Sequence, residues 1–218
     1  MDLYEAMRCA PTSRRFSTEP VPPEMLARAL EAARFAPSGG NRQGWRVVAV
    51  QDPELRRKLG EMYLPHWRAY LRTLGMDKVL EDPGADPVIR RRIEGADLYA
   101  RSLGDVPLHL VVGVRMEDLA VTDADLPRRS IVGGASIYPF VQNLLLGLRA
   151  EGLGAAMTTL LVPAEEAVRE LLGIPQEVIL AAHIGVGRRS EEWPRSLSRR
   201  PVSDFAFSDR WGQPLQEA

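Results

Sequence analysis

Ala36-Pro37-Ser38-Gly39-Gly40-Asn41-Arg42-Gln43-Gly44-Trp45 is the stretch around which the chain is organised. It lies between a helical pattern (Met25, Leu26, Ala29, Leu30, Ala33) and a short apolar run, Val47 to Val50. Pro37 stops the helix, because the residue before a proline is pushed out of the α region and the ring cannot continue the ladder. Gly39-Gly40 lets the backbone turn sharply and come close to a ligand with no Cβ in the way. Ser38, Asn41 and Gln43 supply a hydroxyl and two amides, donors and acceptors without charge. Such a set suits a flat heterocycle with carbonyls and ring nitrogens better than a metal. The same residues also make an ordinary helix-to-strand loop, so the stretch alone leaves both readings open.

Upstream, Asp2 to Met7 reads as a short helix that Pro11 breaks. Thr12-Ser13-Arg14-Arg15-Phe16 follows, with two hydroxyls and two guanidinium forks suited to a phosphate; a solvated basic loop has the same composition. Pro22-Pro23 opens the next helix, proline being tolerated in a first turn.

Downstream of the Val47–Val50 strand, Asp52-Pro53-Glu54 is a helix start with an acidic cap and proline in the first turn. Leu55, Leu59 and Met62 recur at helical spacing, and then comes an aromatic stretch, Tyr63 to Tyr70, interrupted by Pro65. After a loop over 82–87, Pro87 opens a helix whose Ile89, Ile93, Ala96, Ala100 and Leu103 form a single apolar stripe, explained by core packing. Leu108 to Val114 is a buried strand, its apolar run too continuous for an exposed edge. From Gly134 to Ala150 the chain is apolar on nearly all sides, which predicts a central helix covered by the sheet or by a second subunit; Pro139 either begins its regular part or kinks it. Gly152-Leu153-Gly154 ends that helix and leads into Ala155 to Thr159. Pro163 to Leu172 reads as a further helix and Val178 to Gly187 as the last strand. With no repeat and no break in composition, residues 1–218 are expected to form one domain. Within it, a helical excursion over about residues 62–105 is a candidate cover for the site, and 188–218 an extended tail.

The 218 residues carry 45% hydrophobic and 26% charged side chains, globular values compatible with a sizeable core. A net charge of −1 argues against a nucleic-acid surface. The single cysteine, Cys9, excludes an internal disulfide and any Cys-x-x-Cys metal or redox pair. There is no apolar leader and no run near eighteen apolar residues, so neither export nor a membrane partner is expected and a cytoplasmic location is the default. Gly185-Val186-Gly187 starts like a dinucleotide fingerprint, but Ser190 stands at the third glycine and Glu191-Glu192-Trp193-Pro194 follows where a helix is needed. His66, His109 and His183 are far apart, the latter two inside apolar strands, where a satisfied structural histidine is the plain reading. No serine elbow, carboxylate pair or metal spacing stands out; if the chain is an enzyme, a cofactor carries its chemistry.

Several pieces in this order resemble the nitroreductase family of FMN-dependent oxidoreductases. They are Thr12-Ser13-Arg14-Arg15-Phe16, Pro37 to Trp45, Gln142-Asn143-Leu144-Leu145-Leu146, Gly152-Leu153-Gly154, His183-Ile184-Gly185 and Arg199-Arg200-Pro201. The likeness runs from about residue 3 to 212. It implies an α+β, three-layer fold with a mostly antiparallel central sheet flanked by helices. It also implies an intertwined homodimer with two FMN sites at the interface, and electrons from NAD(P)H. By the same resemblance Arg14 and Thr12 lie at the FMN phosphate, with Arg199 or Arg200 beside them. Ser38, Gly39, Asn41 and Gln43 match the flavin loop, often contributed by the other subunit, and Met157, Thr158 and Thr159 match the segment along the ring. No catalytic side chain and no metal is implied. Many family members carry an arginine pair where this chain has Ala10-Pro11, so the phosphate site has lost a cation or takes it from Arg8 or Arg15. The family's usual proline before the tryptophan is Gly44 here, a change expected to touch only the loop's stiffness.

The implied activity is hydride transfer from a reduced nicotinamide cofactor through FMN to a small-molecule electron acceptor, a nitroaromatic, a quinone or a related electrophile. Alternatives on the same fold are flavin fragmentation, dehalogenation, ring oxidation, or flavin binding without turnover. Tyr63, Trp67 and Tyr70 sit at i, i+4 and i+7, so one helical face would carry all three if Pro65 falls in its first turns. That face is read as a substrate wall or as core, with Trp67 assigned to the wall because His66 and Arg68 beside it suggest an exposed segment.

Overall fold

The computed structural model describes residues 1–215. Strands β1 (Trp45–Val50), β2 (Leu108–Arg115), β3 (Leu153–Thr158) and β4 (Val178–Arg188) form one sheet in the order β1-β2-β4-β3, with every neighbouring pair antiparallel. The two long central strands are buried on both faces, which is why each reads as a continuous apolar run. Along β2 the faces alternate: Leu108, Leu110 and Val112 point to one core and Val111 to the other. On β4 the alternation is broken at Ala181, the extra residue of a bulge, so Leu180 faces one core and Ala182 the other.

Helices α2 (Pro23–Ala33) and α5 (Tyr138–Ala150) cover the first face, with Leu26, Ala29, Phe140, Val141, Leu144 and Leu148 packed on Leu110, Ile184 and Val186. The second face is covered by α3 (Pro53–Thr73), α4 (Pro87–Arg101) and α6 (Glu165–Leu172), through Leu59, Tyr63, Trp67, Ile93, Tyr99 and Val168. This is the α+β, three-layer arrangement that the resemblance implied. A short helix, α1 (Leu3–Cys9), packs on α5.

Pro65 does not interrupt the aromatic stretch or open a helix. It lies well inside α3, whose start is Pro53 with the Asp52 carboxylate accepting from the Leu55 amide at 2.9 Å. The proline sits on the exposed side, where the carbonyl it deprives of a partner can be solvated. The predicted excursion is thus two helices lying on the sheet, α3 beginning earlier than residue 62. Pro139 begins the regular part of α5, and Val132–Ser136 before it form a 3-10 turn. The outer side of α5 stays partly uncovered by its own chain, with Tyr138 43% exposed and Leu145 and Leu146 half-buried.

Candidate functional site

Two groups of the predicted residues are built separately. The first is the loop before β1. Gly40, Asn41 and Gln43 all have positive φ, at 60°, 54° and 51°; Asn tolerates this region, and Gln43 is strained there. The Ser38 Oγ accepts from the Gln43 amide at 3.0 Å, and the buried Ser136 Oγ accepts from the Gly39 amide at 3.0 Å. The Gln43 Nε2 donates to the Asn41 Oδ1 at 3.1 Å. The backbone is therefore pinned while both amide side chains remain exposed. Gly44 does more than tune stiffness: a Cβ there would lie 2.5 Å from the Asp118 Cβ, so the close approach itself requires glycine.

The second group forms around β3. Thr12 is bridged in parallel to Ala155, the Ser13 amide donates to the Ala155 carbonyl at 2.8 Å, and the buried Ser13 Oγ accepts from Arg189 Nη1 at 3.1 Å. Thr12 and Arg14 on either side of Ser13 are exposed. Arg15 and Arg189 are paired with Glu191, and Arg188 with Glu19, at 3.0–3.1 Å. Arg14 has no carboxylate or hydrogen-bond partner among the described residues. Its charge acts on the hydroxyls of Tyr63 and Tyr99, whose pKa values burial pushes up and Arg14 draws back. Met157 and Thr159 are exposed and Thr158 half-buried, its Oγ1 accepting from the Leu160 amide at 3.2 Å. The Leu197 amide donates to the Arg8 carbonyl at 2.9 Å, which returns the tail to this region. Arg199 and Arg200 follow, both exposed; among the described residues Arg199 Nη1 reaches only the Ser198 carbonyl, at 2.7 Å.

The groups do not meet within one chain. The loop enters β1 at one sheet edge, while Thr12, Arg14 and Met157–Thr159 lie at β3, the other edge. Three inter-strand steps are roughly 14 Å, and the offset from the level of Trp45 to that of Thr158 adds roughly 10 Å along the strands.

A profile of the nitroreductase family matches residues 11–188, most of the chain. The chain belongs to the nitroreductase family. It is similar to an NADH dehydrogenase of Thermus thermophilus, 32% identical over 183 residues and covering 82% of each chain. A 5,6-dimethylbenzimidazole synthase of Rhodospirillum rubrum is 29% identical, over 83% of this chain and 79% of that one. Among solved structures, an FMN- and NADPH-dependent nitroreductase from sphigopyxis sp. strain HMH superposes with a TM-score of 0.69 at 20% identity, covering 97% of this chain and 100% of that one; this likeness is one of fold.

In this member of the nitroreductase family the aromatic face is split. Tyr63 is buried beside Thr158, and Tyr70 is 44% exposed. Trp67, read as a wall residue, is instead core: it is 7% exposed and its indole N–H donates to the buried Asp97 carboxylate at 3.0 Å. Arg101 pairs with that carboxylate at 2.7 Å. Because the helix runs on through Pro65, residue 67 returns to the face of Tyr63, whereas Arg68 turns outward.

His109 and His183 form a buried, edge-on pair with ring centroids 4.9 Å apart. His109 Nε2 bonds the Leu103 carbonyl at 2.8 Å, but His109 Nδ1 and both nitrogens of His183 have no partner among the described residues, so the pair is not the satisfied one expected. Reading the sequence also missed Arg149 and Trp193, whose guanidinium and ring stack at 3.8 Å beside Thr12. The signal lay in α5, where Gln142, Leu145 and Arg149 share a face at i, i+3 and i+7.

Proposed function

We propose that the chain is an FMN-dependent oxidoreductase passing electrons from NADH or NADPH to a nitroaromatic, a quinone or a similar electrophilic acceptor. The observation that carries the reading is Arg14: among the described residues it is a cation without an ion-pair or hydrogen-bond partner, two positions from the Thr12 hydroxyl, while the loop's other arginine, Arg15, is paired with Glu191. FMN, when bound, supplies the redox chemistry. Arg14 and Thr12, with Arg199 or Arg200, would hold its phosphate, which carries about two negative charges. Met157, Thr158 and Thr159 would lie along the ring. Ser38, Gly39, Asn41 and Gln43 would come from a second copy of the chain, since a single chain leaves them at the far sheet edge. These groups are hydroxyls, amides and arginines, so their role is binding, orientation and polarisation, and no side chain is assigned as an acid or base.

The purified protein should show a flavin absorption band that NADH or NADPH bleaches without oxygen and a nitroaromatic or quinone restores. A colourless protein that ignores added FMN would overturn the reading. The relative named 5,6-dimethylbenzimidazole synthase supports a second reading, flavin fragmentation. Appearance of 5,6-dimethylbenzimidazole from reduced FMN in air, with no turnover of nitroaromatics or quinones, would select it.

A further inference from the structure

Arg149 is a guanidinium 9% exposed with no carboxylate partner among the described residues. Buried charges ordinarily have a counter-charge, because removing one from water is costly. Here the protein offers two neutral acceptors, the Cys9 carbonyl to Nε at 3.3 Å and the Cys9 Sγ to Nη2 at 3.2 Å. The Trp193 ring lies 3.8 Å from the guanidinium carbon and shields it. Nη1 has no partner among the described residues. Arg149 and Trp193 line a cavity of about 90 Å³ together with Ala10, Pro11, Thr12 and Gln142. Of the arginines expected to compensate for Ala10-Pro11, Arg15 is engaged with Glu191.

We infer that Arg149 is a further cation of the anion subsite, its guanidinium held by Cys9 and Trp193 beside Thr12 so that Nη1 takes a phosphate oxygen of the flavin. The inference rests on the FMN reading. It gives the buried charge its missing counter-charge, and it replaces from α5 what the loop lacks at Ala10 and Pro11.

The test compares dissociation constants for FMN and riboflavin, measured by flavin fluorescence on apoprotein. Wild type should prefer FMN. Arg149→Met should cut that preference by about tenfold or more, the effect of one hydrogen bond to a charged group, and Arg149→Lys should keep part of it. Ala10→Glu, on the half-buried rim of the cavity, supplies a carboxylate to Arg149. It should lower FMN affinity, leave riboflavin affinity in place and leave the melting temperature unreduced; it carries the test if Arg149→Met does not fold. Equal weakening of FMN and riboflavin in Arg149→Met, or an intact preference in Ala10→Glu, would make Arg149 a tether between α1 and α5 and overturn the inference. Wild type that binds FMN but shows no preference over riboflavin also overturns it, with the FMN reading left standing. Wild type that binds no flavin removes both.

Discussion

Arg14 and Trp67 stand at opposite ends of what one side chain can contribute. Arg14 is exposed and unpaired, so its removal costs the fold little and the ligand much. Arg14→Ala should weaken FMN by roughly 1.5–3 kcal/mol, the range for a hydrogen bond to a charged group, and riboflavin far less; equal losses would remove Arg14 from the phosphate. Trp67 is the reverse case, buried in the core under α4 and bonded to Asp97. Trp67→Ala should cost about 3–5 kcal/mol of stability through its cavity, with normal acceptor kinetics in the surviving holoenzyme. Unchanged melting with altered kinetics would restore the substrate-wall role. The sequence around Trp67 was misleading because His66 and Arg68 report their own positions on the helix, 100° to either side, and not that of the residue between them.

At the scale of elements, the central strands β2 and β4 carry the histidine pair. Burial holds both neutral: His109 is lowered to about 4, with Arg56 adding to the effect and the Leu103 carbonyl opposing it, and His183 is held well below the usual range. Tyr63 is a further titratable side chain near His183, its ring tilted with centroids 6.5 Å apart. In the unfolded chain each histidine titrates near 6.5. The unfolded state therefore binds protons that the native state refuses, and the histidines' contribution, full above about pH 6.5, is lost as pH falls toward 4. The slope is about 1.4 kcal/mol per pH unit for each histidine in that window. Urea denaturation at several pH values should show it, and His109→Gln combined with His183→Leu should flatten the curve between pH 6 and 4.5. An unchanged slope in the double variant would assign the acid sensitivity to carboxylates instead.

At the scale of the molecule, the four-strand order decides where a complete site can exist. Loop 38–43 and Arg14 lie at opposite sheet edges, and α5 keeps a half-covered outer side. A dimer that brings one chain's loop to the other chain's β3 would solve both problems. Sedimentation at micromolar concentration should give a dimer; a flavin-bound monomer would exclude it. Mixed dimers make a sharper check. Arg14→Ala and Gln43→Ala chains, refolded together, should recover one intact site per heterodimer, because each defect then falls in the same site. No recovery on mixing would mean that Arg14 and the loop act within one chain.

Helix starts at Pro23, Pro53 and Pro87, the buried strands and the sharp turn at Gly39-Gly40 were all legible in the sequence. Their causes are local: caps, proline geometry, glycine, and a period of two or 3.6 residues. Composition alone leaves the loop of Thr12 and Arg14 open between a phosphate site and a solvated basic loop; the family resemblance is what singles these two residues out. Periodicity could not show that α3 would tolerate Pro65, because the outcome depends on which side faces water. It could not foresee that Gly44 would be demanded by Asp118, seventy-four residues away. The pairing of Arg15 with Glu191, which leaves Arg14 alone, and the stacking of Trp193 on Arg149 join segments far apart in the chain. Only the tertiary structure decided these, because ion pairing and burial depend on distances in space, and sequence spacing measures such distances only within a single helix or strand.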